Sequence, residues 1–258
     1  AGVTSDVATV TTANTAAAAA ANLVAAATFT LTTGLDTSTG GTGNDSFAAT
    51  ATTVSGATVQ TLNAGDNLKG GDGTDTLTLA NTSATTAFGA GITTSSIENL
   101  SVNAVTATSV DATLMPGITG ITNNGSLAAL TVSGLTTIPA VSVIASSANT
   151  TVTMGAAATV GIADEMTVNL NGASTTSGST ITASGIEKFN VNATGTASGS
   201  ATTGTVTLVS SVLKDVAITG TAASALSVDL AGATTLAGGS VTGNDAANTV
   251  ILTADAAD

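Results

Sequence analysis

Two short turns in this chain combine residues that could bind a cation. Residues 40–48 read GGTGNDSFA and residues 70–78 read GGDGTDTLT. Both follow the nine-residue pattern G-G-x-G-x-D-x-(apolar)-x without a mismatch. A hard cation such as Ca²⁺ takes roughly six to eight oxygen ligands. Glycines let a tight turn aim successive carbonyls inward, because they tolerate positive φ and carry no Cβ. The Asp adds fixed charge, and the apolar residue two places on anchors the following strand. The candidate ligands are therefore Gly41, Gly43 and Asp45 in one turn, and Gly71, Gly73 and Asp75 in the other, with Asp72 at a variable position as an extra ligand.

Each turn follows a degraded copy nine residues upstream. LTTGLDTST (31–39) keeps Asp36, and TLNAGDNLK (61–69) keeps Asp66. The units 31–48 and 61–78 are thus related by an offset of 30 residues. If two nonapeptides make one coil of a parallel solenoid, the two coils stack with Asp45 and Asp75 on one side and Asp36 and Asp66 on the other. Residues 49–60 (ATATTVSGATVQ) then bulge between the coils. A further stretch, GNDAANTVI (243–251), resembles the unit in part and makes Asp245 a weaker candidate. Gly and Asp also favour ordinary turns, but two full copies in 30-residue register favour the metal reading.

The elements that must hold these turns are strands. Alternating β-branched runs recur as LTVS (130–133), VSVI (141–144), TVTM (151–154), MTVNL (166–170), FNVN (189–192), TVTLV (205–209), VAIT (216–219), LSVDL (226–230) and NTVILT (248–253). Period-two alternation between Gly/Asn/Ser turns predicts many short strands and an all-β fold. The unbroken Ala16–Ala21 favours a short N-terminal helix, with an Ala-rich linker as the alternative. A longer repeat, ITTSSIENLSVNA (92–104) and ITASGIEKFNVNA (181–193), recurs at an offset of 89. It places Glu98 and Glu187 at equivalent positions, as metal ligands or as bonds to a neighbouring turn. Asp164, Glu165, Asp215 and Asp229 read as solvated surface charges. The expected organisation is an Ala-rich segment (1–27), a calcium-binding β module (28–104), a Thr/Val-rich solenoid or sandwich (105–242) and a degenerate C-terminal turn (243–258).

Composition narrows the function. Of 258 residues only 7% are charged, far below the roughly 25% of an ordinary domain. Acidic residues outnumber basic ones 16 to 3, for a net charge of −13. Such a surface excludes nucleic acid as a partner, because binding it needs cationic groups at the phosphates. No apolar run is long enough for a membrane-spanning helix, and residues 1–30 lack the basic start of a signal peptide. Without His, the chain lacks the usual zinc ligand and the usual base of a serine hydrolase. Only four Phe, and no Trp or Tyr, could build a sugar platform. Catalysis is not expected.

The stretches FTLTTGLDTSTGGTGNDSFAAT, GDNLKGGDGTDTLTL and ITTSSIENLSVNA together resemble the RTX (repeats-in-toxin) calcium-binding proteins. They are most similar to the RTX-containing surface-layer proteins of Gram-negative bacteria, over about residues 28–104. The resemblance implies a parallel β-roll or β-helix with Ca²⁺ in its turns and export by a type I system. It further implies calcium-dependent folding outside the cell and assembly of the chain with itself into a surface layer. Anchoring to cell-surface polysaccharide or lipopolysaccharide would use a region outside this sequence. The competing expectation is a calcium-stabilised adhesin or extracellular filament subunit.

Overall fold

The computed structural model describes residues 25–82, 87–146, 148–171, 179–194, 204–220, 226–231, 241–242 and 249–251. The described chain is all-β, and its strands stack in parallel as a solenoid. Ala16–Ala21 and Asp245 lie outside the described residues.

The longest sheet is built from β1 (Thr28–Thr30), β3 (Ser46–Val54), β6 (Thr76–Asn81), β9 (Asn99–Ala104) and β11 (Gly120–Asn124). It continues through β13 (Ala140–Ile144), β15 (Glu165–Asn171), β17 (Lys188–Thr194), β19 (Asp215–Gly220) and β21 (Val241–Thr242). Between these strands the chain crosses to the other side. There, β2 (Thr37–Thr39), β5 (Asn67–Lys69) and β8 (Thr93–Ser95) form a short sheet. Beyond it, a second sheet holds β7 (Ala87–Phe88), β10 (Thr108–Asp111), β12 (Leu130–Leu135) and β14 (Thr150–Met154). That sheet is completed by β16 (Ser179–Ala183), β18 (Gly204–Val209), β20 (Leu226–Ala231) and β22 (Thr249–Ile251). The first eight alternating runs noted in the sequence fall on strands, and so do residues 249–251 of the ninth, the rest of which lies outside the described residues. The long sheet crosses residue 104 without a break, since β9 pairs with both β6 and β11.

The winding follows from side-chain alternation. Successive residues of a strand face opposite sides, so one set turns inward at every rung. Phe47, Leu77, Leu100, Ile121, Val141, Val168, Val191 and Ile218 stand directly above one another in register. All eight are buried. Each such side chain stabilises the stack by about 1.5–3 kcal/mol relative to exposure. Aliphatic side chains keep the layer thin, and Phe29 stacks on Phe47 at 4.9 Å near its first rung.

Rung length varies because corners absorb insertions while strands hold register. Thr28 pairs with Ser46, 18 residues on, and Ser46 with Thr76, 30 residues on. The extra length in the second rung is a β-hairpin. β3 runs past the sheet and pairs antiparallel with β4 (Ala57–Gln60). Ser55 and Gly56 close it with φ of 50° and 83°, the double left-handed geometry of a tight two-residue hairpin turn. The bulge expected over residues 49–60 therefore has a regular structure of its own.

The 89-residue repeat is carried differently. Leu100 pairs with Ile121, Ile121 with Val141, Val141 with Val168 and Val168 with Val191. Stack register thus relates Leu100 to a residue 91 positions on, whereas the repeat relates it to Phe189. The slip is two residues, and an even slip keeps the same face inward.

Candidate metal centre

The two glycine turns occupy the same corner of successive rungs. Thr37 stacks on Asn67 and Ser46 on Thr76, each 30 residues apart, which fixes the turns between them one above the other. Asp36 and Asp66 stack on one edge, where the Asp36 N–H donates to Asp66 Oδ1 at 2.9 Å. Asp45 and Asp75 stack at the other corner, where the Asp45 N–H donates to Asp75 Oδ1 at 2.6 Å. The offset of 30 and the two-sided arrangement expected from the sequence both hold.

These carboxylates form a ladder down the corner. Asp45 accepts the Ala27 N–H on Oδ1 at 2.6 Å and the Gly41 N–H on Oδ2 at 2.7 Å. Asp75 in turn donates its N–H to Glu98 Oε2 at 2.8 Å. Each acid thus caps the backbone of the rung before it. On the opposite edge, Asp36 accepts from Thr32 N–H and Oγ1, and Asp66 accepts from the Asn63 N–H.

One oxygen breaks the pattern. Asp75 is fully buried, and its Oδ2 has no hydrogen-bond partner. Burial pushes the Asp75 carboxyl above its ordinary value; the Asp45 N–H opposes this, and the negative charges of Glu98 and Asp45 add to it. A buried anionic oxygen without a partner is costly unless something neutralises it.

The glycines let backbone and carboxylate oxygens approach closely at this corner. A Cβ on Gly70 would collide with the Ser96 carbonyl and the Asp75 carboxylate. One on Gly40 would collide with the Gly70 carbonyl and the Asp45 carboxylate. Gly71 sits against the Gly41 carbonyl at φ 104°, and Gly73 against the Gly43 carbonyl at φ 118°. Both conformations belong to glycine. The oxygens crowded there are hard donors: the Ser96 carbonyl with Asp75 Oδ2 at Gly70, and the Gly70 carbonyl with Asp45 Oδ2 at Gly40. This chemistry suits Ca²⁺ rather than a soft metal. Among the described residues no three Asp, Glu, His or Cys side chains gather into a metal cluster. A cation here would depend on backbone oxygen.

The remaining candidates separate. Asp72 is solvent-exposed, and its N–H donates to the Gly41 carbonyl at 2.9 Å, tying the two turns together. Asn44, which the motif leaves variable, accepts the Thr74 N–H at 2.9 Å and makes a second tie.

Asp164 corrects the sequence reading. It is half-buried rather than solvated, its N–H donates to Glu187 Oε2 at 2.9 Å, and its own Oδ2 is buried without a partner. Its carbonyl accepts both the Glu187 and Lys188 N–H groups, as the Asp75 carbonyl accepts those of Glu98 and Asn99. Both Glu residues thus bond a neighbouring turn, one of the two roles their place in the repeat allowed. The signal that could have identified Asp164 is its spacing of 23 from Glu187, equal to that of Asp75 from Glu98. Glu165 is exposed and pairs with Lys188 at 3.0 Å.

Comparison with protein-family models, with curated proteins and with solved structures finds no match for this chain. Among the described residues no helix is long and apolar enough to cross a membrane.

Proposed function

We propose that this protein is a secreted structural subunit that folds around calcium and assembles with its own copies into an extracellular surface layer. The observation that carries the reading is the buried, unpartnered Asp75 Oδ2, which crowds Gly70 together with the Ser96 carbonyl one rung from Asp45. Ca²⁺ bound there would neutralise the converging carboxylates and hold two rungs together, so its binding energy would be folding energy. Asp45 and Asp75 would supply charge, and Gly41, Gly43 and Gly70 would supply carbonyls. Asp45, Asp36 and Asp66 already accept donors on both oxygens. The free ligand oxygen would therefore be Asp75 Oδ2, with Asp45 adding charge one rung away and Asp36 and Asp66 serving the ladder. Export through a type I system, a cell-surface location and contact with surface polysaccharide extend the same reading. No catalytic role belongs to it.

A filament or adhesin subunit is the second reading, favoured by the one-dimensional stack. Ten strands of the long sheet at about 4.8 Å spacing make a rod roughly 45 Å long.

The test is circular dichroism and light scattering in EGTA, then in millimolar Ca²⁺, with Mg²⁺ as control. A calcium-specific gain of β-structure followed by growth of large particles supports the proposal. Negative-stain images then separate sheets from filaments. A chain fully folded in EGTA and monomeric in calcium refutes it.

A further inference from the structure

The β3–β4 hairpin departs from the stack and has no obvious use within it. Residues 52–59 are all exposed. Among the described residues, β4 pairs only with β3, which leaves its other edge open. Natural proteins guard such edges with charge, Pro or bulges, yet residues 46–60 contain no charged residue and no Pro. The hairpin is also two-faced. Thr52 stands opposite Val59 and Val54 opposite Ala57, so these four share one face. Val54 and Val59 remain 46% and 36% exposed there. Thr53 and Thr58 stand opposite each other on the other face. An isolated two-stranded ribbon is marginal in water, so this one gains from added strands.

We infer that the open edge of β4 is a self-association site, at which a second copy of this chain adds its own β4 antiparallel about a two-fold axis through Thr58. The inference rests on the assembly reading above and names one of its contacts. Three features select a second copy. First, bonded and non-bonded pairs alternate along an antiparallel ladder, and a two-residue loop is closed by a bonded pair. With Val54–Ala57 as that pair, the N–H and C=O of Thr58 point to the open edge, where two copies can exchange both bonds.

Second, an axis at Thr58 sets Ala57 opposite Val59 of the second copy. The apolar rows Thr52–Val59 and Val54–Ala57 then run on across four strands, and the Thr53–Thr58 row becomes a line of four threonines. Cross-strand Thr pairs and β-branched pairs are favourable. Third, each copy carries a net charge of −13, and the hairpin has no charged residue, so two copies can meet there without opposing carboxylates. A contact of four residues per strand is small, so it holds weakly alone and effectively when repeated through a layer.

The chain contains no Cys, so Thr58→Cys introduces a unique thiol into the full protein. Bonded antiparallel partners lie about 5.5 Å apart between Cα atoms, within reach of a disulfide. Under mild oxidant Thr58→Cys should form linked dimers about tenfold faster than Thr151→Cys on strand β14. Thr58→Pro removes the outward N–H and leaves the β3–β4 bonds intact, while Val59→Lys charges the apolar row. Both should weaken self-association in sedimentation by about tenfold, with unchanged circular dichroism. Equal thiol rates at positions 58 and 151, or unchanged association of both variants, overturn the inference. If Thr58→Pro still forms calcium-triggered layers as the parent does, the hairpin contact falls and the layer reading stands. If the parent itself forms no particles, the layer reading falls, and the thiol rates still decide the hairpin.

Discussion

Two junctions in this solenoid have the same hydrogen bonds and differ in their glycines. At the first, Glu98 accepts the Asp75 N–H, and the Asp75 carbonyl accepts the next two N–H groups of the following rung. At the second, Glu187 and Asp164 repeat every one of these bonds at the same spacing of 23. In both, the Asp Oδ2 is buried without a partner. Yet the six residues ending at Asp75 include three glycines, and those ending at Asp164 (TVGIAD) include one. The carboxylate ladder is therefore a device of the stack, independent of the nonapeptide motif. What the glycines add at the first junction is close approach of carbonyl oxygen to the carboxylates, Ser96 at Gly70 and Gly70 at Gly40. We attribute the rung-to-rung hydrogen bonding to the acids and the proposed cation site to the glycines.

The comparison can be broken in four places. Gly70→Ala should have the largest effect, because its Cβ meets the Ser96 carbonyl and Asp75 head-on. We expect a loss of about 3 kcal/mol in thermal or urea unfolding together with the calcium response. Gly155→Ala, where the nearest atom lies at an ordinary 3.4 Å, should stay within about 0.5 kcal/mol. Next, Asp45→Ala combined with Asp75→Ala should abolish most calcium-induced ordering in a circular dichroism titration, and Asp164→Ala should leave it nearly intact. Identical titration curves would mean that the glycine turns are irrelevant.

Third, Glu98→Ala and Glu187→Ala should each cost about 1.5–3 kcal/mol in EGTA, the worth of a bond to a charged acceptor. The two losses should match, since the lost bonds match; a difference beyond about 1 kcal/mol would separate the junctions structurally. The smallest effect concerns pH. The Asp75 carboxyl is raised in the folded state, so its contribution to stability is fully present below the ordinary value of 3.8 and is lost as pH rises through the raised value. In EGTA, Asp75→Asn should therefore be more stable than the parent at neutral pH, and the gap should close as pH falls towards 4. Calcium should reverse the order. Melting temperatures across that range check both signs.

Much of this arrangement was legible beforehand. Period-two alternation marked the strands, since a strand buried on one face must alternate. The offset of 30 set Asp45 above Asp75, because two corners of identical sequence close identical turns. The Asp75–Glu98 bond was only half legible: the repeat allowed Glu98 a bond to a neighbouring turn but did not name Asp75 as the partner. The bond links the nonapeptide to a unit of the longer repeat 23 residues on, and only the stacking brings Glu98 to the Asp75 N–H. Asp164 was misread because its bond to Glu187, 23 residues away, appears only once the rungs stack. The hairpin lay between the two. ATATTVSGATVQ contains a recognisable Ser-Gly turn, but whether β3 continues past the sheet depends on where β6 ends beside it.

The sequence by itself determined that the described chain is all-β, which of its residues face inward, and that glycine and aspartate recur at a fixed interval. These are local properties, set by backbone sterics and side-chain alternation over a few residues. Only the tertiary structure decided which acids share a corner, which carboxylate oxygen is left without a donor, and which strand edge stays open. Those depend on rung lengths of 18 to 30 residues, and so on how many residues each corner loops out before the chain returns to register.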